Sequence, residues 1–160
     1  MSLYEGTNGI QSLDLMGRKM KVSHRALFNA YRKEVESFCV KHENHPRLGG
    51  EVQTLRETLR KLAEVALQMA ESMKLDPLQW ASYTFPALMC FGDVTVAWRL
   101  LDLAVIAQQV MDEGRGNPFH AGKVSQASYF VGTMLPLTMA RLDTCIRSGR
   151  EIVEMANEAF

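Results

Sequence analysis

The chain has 160 residues, 47% of them hydrophobic and 22% charged, with 18 basic and 18 acidic side chains that cancel. That length holds one domain with a substantial core, and the neutral balance, without a Lys/Arg run, removes nucleic acid as a partner. No charged-then-apolar leader and no uncharged stretch of about 20 residues is present, so membrane attachment is not expected either. Cys39, Cys90 and Cys145 lie far apart with no CxxC spacing, which reads as free, buried thiols in a reducing, cytoplasmic setting.

In chain order, nearly everything after Asn8 reads as helix and no strand alternation is seen. A first helix is predicted over Ile10 to Lys21, with Leu13, Met16 and Met20 on one face. Ser23 is the expected N-cap of a second helix to about Lys41, which turns Leu27, Tyr31, Val35 and Phe38 inward. Glu43 to Gly50, with Pro46, Gly49 and Gly50, reads as a loop. The third helix carries an unbroken seam of three- and four-residue steps: Val52, Leu55, Leu59, Leu62, Ala66, Met69 and Met73. Glu57, Glu64 and Glu71 recur on another face, with Glu57 in reach of Lys61. No Glu-x-x-His occurs, so these carboxylates are not a bundle metal site.

Asp76-Pro77 is an N-cap followed by proline at the first helical position. The fourth helix then runs to about Asp112, with a main face of Trp80, Tyr83, Ala87, Phe91, Val94, Trp98, Leu101 and Val105. Apolar residues spill around it at Met89, Leu100, Leu103 and Ile106. A helix this apolar either sits centrally or buries a second face against a neighbour. Pro86 is expected to kink or divide it. Arg99 and Asp102 are expected to pair or to lie at its exposed edge. After a loop at Glu113 to Pro118, a fifth helix covers Phe119 to Arg147, bent near Pro136 and ended by Gly149. A short amphipathic segment, Glu151 to Phe160, closes the chain. Long helices joined by short loops give an all-α, up-and-down helical bundle of about four to five helices. His24, His42, His45 and His120 are dispersed, and read as loop, capping or packing residues.

The opening string Leu3-Tyr4-Glu5-Gly6-Thr7-Asn8-Gly9-Ile10-Gln11, continued by Leu13-Asp14-Leu15-Met16-Gly17-Arg18-Lys19, resembles the last active-site segment of the FAD-dependent acyl-CoA dehydrogenases. Read without that resemblance, it is a glycine-rich loop capping a helix, with Glu5 a solvated carboxylate. Three softer motifs are similar to the longer members of that family that carry an extra C-terminal helical domain, such as the 3-methylthiopropanoyl-CoA dehydrogenase group. They are Asp93-Val94-Thr95-Val96-Ala97-Trp98, Phe119-His120-Ala121-Gly122-Lys123 and Met134-Leu135-Pro136.

The resemblance implies specific roles. Glu5 would be the catalytic base that takes the α-proton of an acyl-CoA, and its N–H, with a flavin ribityl hydroxyl, would bind the thioester oxygen. Tyr4 would flank the substrate, and Gly6 would let the backbone pass close to the acyl chain. Thr7, Asn8 and Gly9 would contact FAD where a helix begins. Residues 1–22 would be the last catalytic loop and helix of the dehydrogenase fold, and 23–160 the C-terminal helical bundle. The parent enzyme would be a homo-oligomer that oxidises its substrate to 2-enoyl-CoA and passes electrons to an electron-transfer flavoprotein. The 160-residue chain alone, lacking most of the flavin site, is expected to be inactive and to hold no FAD. The competing reading is a non-catalytic helical module for interaction or oligomerisation, motivated by the apolar surplus of the fourth helix.

Overall fold

The computed structural model describes residues 7–21, 25–147, 149–151 and 153–159. Among them there are helices and no strands, as the periodicity predicts. The helices are α1 (Asn8–Leu13), α2 (Ala26–His42), α3 (Gly49–Leu75), α4 (Pro77–Asp112) and α5 (Pro118–Arg147). A π-helical turn, Asp14–Lys19, continues α1, and a 3-10 turn spans Asn157–Ala159. No helix among the described residues is long and apolar enough to cross a membrane.

α3, α4 and α5 form the central triangle, and α4 and α5 share the most extensive contact. Asp93 of α4 meets Thr138 and Arg141 of α5, while Tyr83, earlier in α4, reaches Gly149 beyond the end of α5, so these two helices run antiparallel. Glu51 accepts from Ser128, and Lys61 pairs with Asp143, which sets α3 alongside α5. α2 lies across α3 and α4: Arg56 bridges to Glu36 and Glu43, and the Tyr31 hydroxyl meets that of Thr95 at 3.0 Å. The Phe28, Tyr31, Phe91 and Trp98 rings interlock at this seam, with centroids 5.9 to 6.5 Å apart.

The α3 seam is buried as its spacing predicts from Val52 to Met69, and Met73 packs at its edge. Asp76 caps α4 by accepting from the Gln79 N–H at 3.1 Å, and Pro77 fills the first helical position. Pro86 does not divide α4, which is one helix of 36 residues.

Several elements differ from the sequence reading, each for a local reason. α2 starts at Ala26, after Arg25 in a left-handed conformation (φ 70°), so Ser23 is not its cap; Ser23 itself lies outside the described residues. Phe28, not Leu27, points inward, because the larger ring fills the space beside Phe91. Gly49 and Gly50 belong to α3, not to the loop. A side chain at Gly49 would come within 2.9 Å of the Glu43 carbonyl, which keeps the α2–α3 connection tight. On α1 the buried residue is Ser12 in place of Leu13, because the π-helical turn shifts the phase relative to Met16 and Met20. Glu57 accepts from Gln53, while Lys61 turns to Glu64 and Asp143.

The core face of α4 differs in part: Trp80, Ala87, Val94 and Leu101 are buried as expected. Its fully buried side chains are small: Ala87, Cys90, Val94, Ala97 and Ala104, with Leu101. Tyr83, Phe91, Trp98 and Val105 are displaced to the flank, where they pack partly buried against the core. Arg99 and Asp102 pair at 3.1 Å on the surface, and Arg99 also lies over Trp98. The three thiols are free and buried.

Burial pushes the thiols of Cys39 and Cys90 up to about 12 and that of Cys145 to about 11. A thiol that ionises more readily unfolded than folded stabilises the fold below its unfolded value and loses that contribution as pH rises. The urea midpoint is therefore expected to hold to about pH 9 and to fall above it, with alanine at all three positions flattening the decline. Leu101→Ala, which empties a site sealed on all sides, is expected to cost about 2–5 kcal/mol in the same assay.

Candidate functional site

The residues singled out by the opening motif divide in two. Tyr4, Glu5 and Gly6 lie outside the described residues. Thr7, Asn8 and Gly9 form the start of α1.

Thr7 precedes the helix, and its carbonyl accepts from the Gln11 N–H at 2.6 Å. Its hydroxyl accepts from the Gln11 side chain at 3.3 Å and does not cap the helix. Helix geometry gives the N–H groups of Asn8, Gly9 and Ile10 no carbonyl partner within α1, so they remain donors toward whatever lies ahead of the helix. Gly9 is exposed, and a side chain built there would meet nothing within 4 Å. This end of α1 is an open ledge of backbone donors.

The ledge is fixed to the bundle from below. The Ser12 hydroxyl donates to the Gly9 carbonyl at 2.7 Å and shares a buried hydrogen bond of 3.0 Å with Thr84 of α4. Four residues on, Met16 is buried, and Gly17 brings the backbone of the π-helical turn against the Trp80 ring, leaving 3.2 Å between that ring and a hypothetical Cβ. The Met20 N–H reaches back five residues to the Leu15 carbonyl at 2.9 Å, which defines the π-helical turn. Asp14 pairs with Arg18 and Lys19 on the outer face, and the Arg18 guanidinium holds its carboxyl below the usual carboxylate range. Serine, glycine and tryptophan contacts thus set the position of Thr7–Gly9 relative to α4.

The remaining titratable groups have structural work. The His45 ring accepts from the Arg47 and Leu48 N–H groups and shapes the α2–α3 loop. His42 is held below the ordinary imidazole value by burial, then by Lys41 and His45. Asn117 caps α5 by accepting from the Phe119 N–H at 3.0 Å, and the His120 ring contacts the same side chain. His24 lies outside the described residues. Among the described residues no three His, Cys, Asp or Glu side chains gather as metal ligands.

Two features escaped the sequence reading. Asp93 is nearly enclosed between α4 and α5, where it accepts from Thr138 at 2.8 Å and from Arg141 at 2.7 Å. An aspartate inside an apolar helix signals a buried partner, but its identity on α5 depends on the fold. The second is a groove of about 920 Å³ between α2 and α3. Val40, Leu59 and Ala63 line it among Arg32, Lys33 and Lys41.

The sequence family described as acetyl-CoA dehydrogenase C-terminal like matches residues 31–156. The chain is also similar to a broad-specificity linear acyl-CoA dehydrogenase of Mycobacterium tuberculosis, with 26% identity over 170 residues. That alignment takes in 99% of this chain but only 28% of the length of the curated relative.

The geometry separates Gly9 of α1 from Gly17 of the π-helical turn. Gly17→Leu is expected to displace Trp80 and to destabilise the fold by about 1–3 kcal/mol, read as a lower urea midpoint with a red shift of tryptophan emission. Gly9→Ala, with open space around it, is expected to leave both readouts unchanged.

Proposed function

The chain belongs to the acetyl-CoA dehydrogenase C-terminal-like family, and from that membership we propose that it is the C-terminal part of an FAD-dependent acyl-CoA dehydrogenase. The observation that carries the reading is the order of two independent signals. The string Leu3 to Gln11 stands directly ahead of a bundle whose family match runs from residue 31 to residue 156. Residues 1–22 are then the last catalytic loop and helix, and 23–160 the appended bundle. The M. tuberculosis relative, a linear acyl-CoA dehydrogenase, supports the same assignment.

The residues at the start of α1 fit a flavin nucleotide on one side. Asn8 and Gly9 offer backbone donors at a helix start, and the bare Cα of Gly9 lets a ligand approach closely. Thr7, Asn8 and Gly9 would hold FAD there, and FAD when bound supplies the acceptor for the hydride that leaves the β-carbon. The chain's own contribution is Glu5. Its carboxylate takes the α-proton, a task favoured when substrate closes off water and raises its affinity for protons. The Glu5 N–H donates to the thioester oxygen, where charge develops as that proton leaves. Tyr4 flanks the acyl group, and Gly6 leaves it room. The product is a 2-enoyl-CoA, the electrons pass on to an electron-transfer flavoprotein, and the setting is cytoplasmic.

The reading makes two opposed demands. The 160-residue chain alone, mixed with FAD and acyl-CoA and then desalted, is expected to retain no flavin colour and to reduce no electron-acceptor dye. Joined to the catalytic body that the reading requires upstream, Glu5→Gln is expected to lower turnover by about 10²–10⁴-fold with flavin content unchanged. Turnover unaffected by that substitution would remove Glu5 as the base.

A further inference from the structure

α2 and α3 run antiparallel, with Arg56 of α3 reaching Glu36 and Glu43 and Arg60 reaching Glu36. The groove of about 920 Å³ lies between them. Its floor is apolar: Leu59 and Ala63 of α3 are only 1% and 5% exposed, Leu67 continues the line one turn on, and Val40 stands half exposed on the α2 wall. Along that wall the lining runs from Asn29 to Lys41, about 18 Å, or a little over three turns of helix.

The chain as a whole is neutral, but the groove is not. Arg32, Lys33 and Lys41 are exposed along the α2 wall, and among the described residues none of them has a carboxylate partner. The two carboxylates of the lining are already engaged. Glu36 is held by Arg56 and Arg60, and Glu64 by Lys61 and Gln68. Three unanswered cations above an apolar floor set up a local positive field that an anionic occupant satisfies.

We propose that this groove is the docking site for an acidic amphipathic helix of another protein, laid lengthwise between α2 and α3. Such a helix sets apolar side chains at three- and four-residue steps over Leu59, Ala63 and Leu67, and carboxylates beside the cations of the α2 wall. The small side chain of Ala63 gives one of the partner's larger ones a place to enter. A flat anionic surface fits less well, because it meets the cations of the rim and does not reach a floor so nearly covered. The groove also lies away from the other attachments of the bundle. Val40 follows Tyr31 by nine residues, about two and a half turns, so it stands on the side of α2 opposite the one that Tyr31 turns to Thr95 of α4. α1, through which an upstream catalytic body would join, is fixed to α4 by Ser12 and Thr84. The outer side of α2 is thus left to a separate partner, and the site stands whether or not the dehydrogenase assignment does.

The probe is a fluorescein-labelled synthetic helix of about 15 residues, with leucine at three- and four-residue steps and glutamate on both flanks. Fluorescence anisotropy with the 160-residue chain is expected to show saturable binding that weakens as salt is raised. The same peptide with lysine for every glutamate is expected not to bind. Lys33→Glu, Lys41→Glu and Val40→Glu, all at exposed positions, are each expected to weaken binding about tenfold with helical circular dichroism unchanged. Arg115→Glu, which makes the same change in net charge at the α4–α5 turn, is expected to leave the affinity as it was. Equal affinity for the acidic and basic peptides would overturn the proposal, as would affinity untouched by the three groove substitutions. Joined to its catalytic body, the chain is expected to bind the peptide still; loss of binding there would assign the groove to the rest of the same polypeptide and overturn the separate partner. Binding to phosphatidylglycerol vesicles that disappears in Lys33→Glu would overturn it in favour of a lipid surface.

Discussion

The close packing of α4 against α5 is the constraint on which the rest of the fold rests. It depends on the small size of the side chains along one line of α4, where Ala87, Cys90, Val94, Ala97 and Ala104 are fully buried. Small residues let the two backbones approach, and close approach leaves little room for polar atoms. The one aspartate on that side, Asp93, is accordingly met by both Thr138 and Arg141 of α5. The charge is nearly enclosed yet fully partnered, so it fixes the longitudinal register of α5 without leaving an unsatisfied group. The large apolar side chains that the contact excludes must go elsewhere. Tyr83, Phe91 and Trp98 are moved to the flanks, and Phe85, Met89 and Val96 to the outside.

That displacement organises the periphery. α2 buries Phe28, Val35, Phe38 and Cys39, and it is held besides by aromatic rings pushed off the α4 core line and by the Tyr31–Thr95 hydrogen bond. Its far end is fastened by Arg56 to Glu36 and Glu43, an ion-pair cluster on a partly exposed surface that contributes orientation more than stability. α1 is attached differently, by a hydroxyl pair and by a glycine against a tryptophan. The ledge at Thr7–Gly9 is thus carried by α4 itself, not by a loop.

Where burial follows a strict period, the sequence discloses it. The α3 seam, the Asp76-Pro77 start and the all-helical class are legible because each is a local rule: periodic burial, capping chemistry, absence of alternation. The inward face of α4 is not legible in that way. A helix apolar on every side has no contrast between faces: of the large residues expected on its core line, Trp80 and Leu101 are buried, while Tyr83, Phe91 and Trp98 are displaced to the flank. Leu27 against Phe28, and Leu13 against Ser12, fail for a related reason: each choice is settled by a neighbour distant in sequence, Phe91 in one case and Thr84 in the other. Of the site, the motif string is legible by resemblance alone. What the fold adds is that three of its residues end an element rigidly joined to the bundle.

The π-helical turn gives that junction a further property. Asp14–Lys19 accommodates one more residue than an α-helical turn would between the Thr84 contact and the Trp80 contact. Removing a single residue from this stretch would close it to ordinary α-helix and turn everything ahead of it by about 100° about the helix axis. Ser12 would swing away from Thr84, and the donors of Asn8 and Gly9 would face another quarter altogether. The chain therefore carries an angular setting between the start of α1 and its bundle, held in the length of six residues as well as in the buried Met16 and the bare Gly17 among them.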